Sequence, residues 1–201
     1  MTDFISAFGW IISPTRKIID LRKKGDKSHA GKALREWNAG WFRGEMLFAI
    51  LLTVISIYLP AVATNPYLYW PVLTVAGSRI NEISYAFYCD ALSRLGNETR
   101  TSDLSTADRI KMTMKSYVGL LINFAILFCL LPIRCAFSQH LSNFTDAIYF
   151  SGVTIATLGY GDLAPVNSFV RLLSLYEVFS GILLIAVAIA TYVGTPIPDD
   201  T

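Results

Sequence analysis

Charge is scarce in this chain. Asp, Glu, Lys and Arg make up 16% of its 201 residues, against 53% hydrophobic residues, a balance that excludes an ordinary soluble domain and fits a protein of the bilayer. Histidine occurs only twice, as His29 and His140 in separate places, and there is no phosphate-binding loop and no H-E-x-x-H run. Cys89, Cys129 and Cys135 lack ligand spacing and partner histidines, so they imply neither a zinc site nor a disulfide framework and read as packing residues. No stretch carries Lys or Arg at every third position within an apolar helix, which disfavours a voltage sensor. Nothing supports nucleic-acid binding. The start lacks a basic region ahead of its apolar patch, so no cleaved signal peptide is expected. No segment repeats another, so any rotational symmetry must come from separate chains.

What is present is apolar length. Crossing the roughly 30 Å hydrocarbon layer takes about 20 helical residues, and three stretches qualify: Met46 to Ala63, Ser116 to Ile133 and Phe169 to Val193. Pro60 and Asn65-Pro66 end the first, and Ser105-Thr106-Ala107-Asp108 is a capping pattern that starts the second helix before its apolar run. A fourth candidate, Tyr67 to Leu95, is broken by Arg79 and Glu82, which share a helix face and can pair; the alternative is an extracellular or interfacial segment. Met1 to Glu45 holds nine Lys and Arg against five acids, so this end is expected in the cytoplasm. Within it Phe4, Ile5, Phe8, Trp10, Ile11 and Ile12 precede Arg16-Lys17 and Arg22-Lys23-Lys24, a pattern suited to an anionic lipid surface. Trp37, Trp41, Phe42 and Arg43 read as an aromatic belt at the first span's inner boundary.

The chemistry is concentrated in Thr154-Ile155-Ala156-Thr157-Leu158-Gly159-Tyr160-Gly161-Asp162. Gly159 and Gly161 take left-handed backbone angles without steric cost, so an extended strand can alternate in hand and turn its carbonyls to one side. Four such strands around an axis would replace the hydration shell of a cation, with the hydroxyl and carbonyl of Thr157 forming the innermost site. Asn143 can cap a short helix with Asp146 in its first turn, running to about Ile155. Its carboxyl end would carry about half a negative charge, favourable to a waiting cation.

This run resembles the signature of the potassium channel pore family, T-x-x-T-x-G-Y-G-D, and matches every defined position; the resemblance covers roughly Ser116 to Val193. It implies an all-α membrane protein: a tetrameric pore domain of outer helix, pore helix, filter and inner helix, here preceded by one or two extra transmembrane helices. It further implies potassium as the permeant ion, held by the carbonyls of Thr157, Leu158, Gly159 and Tyr160 and the Thr157 hydroxyl, with Gly161, Asp162, Thr154 and Glu177 as filter support. Glu177 is expected to pack behind the filter. Gly181 reads either as a gating hinge or as a close-packing glycine. Phe179, Leu183, Val187 and Ala190 follow approximate helical spacing and could line the inner cavity or face lipid.

The family's partners for the filter acid differ here. Val153 stands where a carboxylate is usual and Phe150 where an indole donor is usual, which leaves Tyr149 as the candidate partner of Asp162. The expected organisation is a cytoplasmic or interfacial basic segment over 1–45, one or two additional spans with a polar linker over 46–115, a pore domain over 116–193 and a short cytoplasmic tail over 194–201. A multi-pass protein of the plasma or inner membrane, with both termini cytoplasmic, a homotetrameric state and no cofactor, completes the expectation. No ligand-binding domain is expected after Val193. Asn97-Glu98-Thr99 and Asn143-Phe144-Thr145 are glycosylation sequons by pattern.

Two other classes have some basis. Gly159-Tyr160-Gly161-Asp162 also fits the G-x-G-D pattern of intramembrane aspartyl proteases, with Asp90 as a second acid, but Thr154 and Thr157 have no role in that chemistry. A non-conducting subunit would keep the pore fold while modulating a partner; the intact Gly-Tyr-Gly speaks against it.

Overall fold

The computed structural model describes residues 27–59, 66–95, 104–133 and 136–193. The amphipathic segment before Lys27, the sequon at Asn97, Cys135 and the tail 194–201 lie outside the described residues. Among the described residues five helices follow in order: α1 (Lys27–Tyr58), α2 (Pro66–Leu95), α3 (Thr106–Leu130), α4 (Phe144–Ile155) and α5 (Ser168–Val193). Three of them contain stretches long and apolar enough to cross a membrane, His29–Tyr58, Thr106–Leu130 and Ser168–Ala190.

The helix starts follow from local chemistry. Ser105 accepts from the Asp108 amide, and Asn143 accepts from the amides of Thr145 and Asp146, each satisfying donors that the first helical turn leaves orphaned. The Asn143 side chain is thus a helix cap. One expectation shifts: the first apolar helix was placed at Met46 to Ala63, whereas α1 begins at Lys27 and ends at Tyr58. Its early turns persist because Asn38 and Glu45, at 8% and 6% exposure, are buried against other helices.

Contact order fixes the directions. Arg35 pairs with Asp108, Asn38 donates to Ser116 and Asn123 donates to Glu45, so α1 and α3 ascend together. Arg79 meets Glu45 while Trp37 meets Glu82, so α2 runs opposite to α1. Tyr176 donates to Asn81, and the hydroxyls of Ser84 and Ser180 lie 2.9 Å apart, so α5 runs with α2. At about 1.5 Å per residue, the 30 residues of α2 extend roughly 45 Å.

Helix α3 is the hub. Leu120, Phe124 and Ala125 on it are fully buried, and Phe124 stacks edge-on against Tyr176 of α5 with centroids 5.7 Å apart. Phe150 of α4 packs edge-on against Phe128 and Phe137 at 4.9 and 4.8 Å, fixing α4 to α3. An isolated antiparallel bridge between Phe137 and Pro165 ties the chain entering α4 to the chain leaving the glycine-rich strand.

Candidate functional site

Helix α4 ends at Ile155, and Ala156 caps it. The next residues alternate in hand: Thr157, Gly159 and Gly161 have φ of 58°, 54° and 82°. Thr157 is the one non-glycine with positive φ among the described residues. A β-branched residue in that region is strained, by about 1–2 kcal/mol, so its surroundings must hold it there. The amides supply part of the hold: Thr157 donates to the Thr154 carbonyl at 2.9 Å, and Leu158 and Gly159 both donate to the Val153 carbonyl, at 2.8 and 3.2 Å. These three amides are thus turned back onto α4. Leu158 and Tyr160 are 59% and 68% exposed in the single chain.

Behind α4 the support is polar and buried. Ser151 Oγ donates to the Leu121 carbonyl at 2.8 Å and also contacts Glu177 Oε1. Glu177 is fully buried, and its Oε2 has no hydrogen-bond partner among the described residues. One turn on, a Cβ added at Gly181 would sit 2.6 Å from Ile155 Cγ1 and 3.3 Å from the Ile155 carbonyl oxygen. Gly181 therefore marks the closest approach of α5 to the end of α4. Of the four candidate cavity residues, Phe179 is 67% exposed and Ala190 is exposed, Leu183 is half-buried, and Val187, at 4% exposure, is turned toward the chain's own helices. The exposed stripe of α5 instead includes Leu172, Leu175, Phe179, Ile182 and Ile189.

At the far end of the strand, Tyr149 Oη donates to Asp162 Oδ2 at 2.8 Å. That bond, with help from the Leu163 amide, holds the Asp162 carboxyl below its ordinary range. Asp90, the other acid of the protease reading, is occupied elsewhere, 3.6 Å from Arg109. The two acids have separate partners and share no proton.

Sequence reasoning paired Arg79 with Glu82, and the structure sets them 2.8 Å apart. It missed the rest of the cluster. Arg79 Nε also reaches Glu45 Oε1 at 3.2 Å, its guanidinium lies over the Trp41 ring at 4.9 Å, and Trp37 Nε1 donates to Glu82 at 2.8 Å. The two indoles thus belong to a buried ion cluster and are more than a boundary belt. Glu45 is received by α3: its Oε2 lies 2.6 Å from where a Cβ of Gly119 would be, and Asn123 donates to its Oε1 at 3.0 Å. The one signal in the sequence was an acid opening an apolar run beside two tryptophans.

Residues 117–195 match a protein family described as "Ion channel". Over 58 residues the chain is 47% identical to "Two-pore potassium channel 1" of Arabidopsis thaliana, covering 28% of this chain and 16% of that protein. It is 34% identical, also over 58 residues, to "Voltage-gated potassium channel Kch" of Escherichia coli (strain K12), covering 29% of this chain and 14% of the other. Each match therefore spans less than a fifth of the relative's length. No solved structure matches the chain. The likenesses are to proteins described as channels. A segment of alternating hand held against a short capped helix, between two apolar helices, lies within the part of the chain that is similar to ion channels and to these potassium channels.

Proposed function

We propose that four copies of this chain assemble about a common axis into a passive, potassium-selective channel, with the carbonyls of Thr157, Leu158, Gly159 and Tyr160 and the Thr157 hydroxyl as ion ligands. The observation that carries the reading is the left-handed backbone at Thr157, Gly159 and Gly161. Alternation of this kind points successive carbonyls to one side, and four rings of carbonyl dipoles replace the hydration shell of a dehydrated cation. The chain carries one such strand and no internal repeat, so the ring requires four chains. Exposure of Leu158, Tyr160, Phe179 and Ile182 in the single chain suits surfaces covered by neighbours or lining the conduction path.

In this reading α3 is the outer helix, α4 the pore helix and α5 the inner helix. The 12 residues of α4 carry an acid, Asp146, in the first turn and end beside the strand. Its carboxyl end then presents about half a negative charge to the ion below the filter. Thr154 and Gly161 support the strand through backbone geometry, Asp162 holds its outer end, and Glu177 buttresses α4 from behind. In this reading α2 crosses the bilayer along with α1, α3 and α5, and their alternating directions suit four crossings that return both chain ends to the cytoplasmic side. The buried pairing of Arg79 makes the crossing by α2 affordable despite its charge. The basic segment within 1–45 rests on anionic lipid of the plasma or inner membrane, 46–115 supplies the two extra helices, 116–193 is the pore and 194–201 a cytoplasmic tail.

Potassium-driven flux in vesicles tests this. Purified chain in liposomes loaded with potassium should dissipate the gradient and charge the vesicle, and Gly159→Ala should abolish the flux while leaving the protein tetrameric. Flux unchanged in that variant would overturn the assignment.

A further inference from the structure

A cavity of about 640 Å³ lies between α1, α2 and α3, with Asn123 and Ile126 of α3 in its wall. That volume falls in the range of small-molecule sites, roughly 300–1,000 Å³. Its wall is mainly apolar, with Trp37, Trp41 and Phe48 from α1 and Val72 and Ala76 from α2. Gly40 and Gly44 leave it open: a Cβ added at either meets nothing within 4 Å.

The ionisable residues that line it are Glu36 and Glu45, both acids, and no Lys or Arg contributes. Lys32 sits 4.0 Å from Glu36, but both side chains are mostly exposed, which leaves that pair screened and weak. Behind the wall, Arg79 faces two carboxylates, Glu45 and Glu82, and Glu82 Oε2 is buried without a hydrogen-bond partner. The cluster therefore carries one more acid than base. An excess of negative charge in an apolar setting favours a cation, and indole rings attract cations through their faces.

We propose that this groove binds an amphiphilic monocation: a single ammonium centre carried on an apolar body, its charge near Glu36 and Glu45 and its body along Phe48 and Val72. Charge complementarity selects this occupant over an anionic lipid, which two lining carboxylates would repel. No residue of α4, of the glycine-rich segment or of α5 lines it, so it can be tested without measuring flux.

The test uses the full chain in bilayer nanodiscs, with Trp10→Phe and Trp70→Phe so that Trp37 and Trp41 alone report. The probes are a bromine-tipped alkyltrimethylammonium and a bromine-tipped alkyl sulfate of equal chain length, both quenchers of indole fluorescence. Saturable quenching by the cation and not by the sulfate is expected. Gly44→Leu should remove it by filling the groove, and Glu36→Gln, at an exposed site that leaves folding intact, should raise the half-saturating concentration about threefold, the scale of one exposed charge contact. Quenching that ignores charge, or saturable quenching that survives Gly44→Leu, overturns the proposal. So does an absence of quenching in the assembled protein, the result expected if a neighbouring subunit fills the groove.

Discussion

Tyr149 and Asp162 are joined across the glycine-rich strand: the phenol donates to Oδ2 at 2.8 Å, and the Tyr149 ring stacks on Tyr160 with planes 4° apart. One residue of α4 thus grips the strand's outer end in two ways. Phe150, at the position where the family usually carries an indole donor, is instead buried in the aromatic packing against Phe128 and Phe137.

Removing the donor isolates that grip. Tyr149→Phe keeps the ring contact and deletes the hydrogen bond, so conduction should persist while current decay at constant voltage becomes several-fold faster. The pH dependence follows from the sign of the shift: a carboxyl held below its ordinary value of 3.8 keeps its bond at and above that value and loses it only as pH falls through the lower, folded value. Acidifying the outer solution from neutrality toward 3.8 should leave wild-type decay unchanged, and the fast decay of Tyr149→Phe, which has no such bond to lose, should not accelerate further. Single-channel recording against outer pH checks both.

Gly181→Ala should be costly despite being a small change. The new methyl would meet Ile155 Cγ1 at 2.6 Å and its carbonyl at 3.3 Å, at the helix end from which the strand departs. Overpacking of this type costs about 1–3 kcal/mol. Thermal unfolding should show that loss, and Ile155→Ala in the same chain, which removes Cγ1, should cost less in the Gly181→Ala background than alone; full additivity of the two substitutions would show that they do not touch.

Ser151→Ala should strip the fully buried Glu177 of its hydrogen-bond partner. Leaving a buried polar group unsatisfied costs about 1–3 kcal/mol, and more for a charged one. Glu177→Gln retains a group able to bond Ser151 and should cost less than half as much. Denaturation of the assembled protein compares the two; equal losses would mean that Glu177 acts through volume alone.

Arg79→Ala leaves Glu45 and Glu82 facing each other without their cation. Breaking a buried pair by removing one partner costs about 3–5 kcal/mol, whereas replacing all members with apolar residues is often neutral. The single variant should fail to accumulate in the membrane, and Arg79→Met with Glu45→Met and Glu82→Met should restore it. Membrane yield measured by blotting decides the point.

The parts of this molecule that can be read from sequence are those fixed within a few residues. Asn143 and Ser105 cap helices, and Arg79 meets Glu82, because spacings of two or three positions determine the geometry. The alternating strand was readable for the same reason, since glycine at every second position permits little else so economically. Partners separated by 34 and 78 positions, Glu45 with Arg79 and with Asn123, depend on how helices cross, which no local pattern encodes. The polar partners of Trp37 and Trp41 come from α2, so no local pattern announces them. Val187 lies inward because packing on the neighbouring helices sets the rotation of α5, and a helix apolar all round gives periodicity no purchase on it.

The most direct test is the reversal potential of the purified protein in a planar bilayer, with potassium on one side and sodium on the other. A value near the potassium equilibrium potential, lost with Gly159→Ala, is predicted. A reversal potential near zero, with both ions passing equally, would contradict potassium selection by the carbonyls of residues 157 to 160.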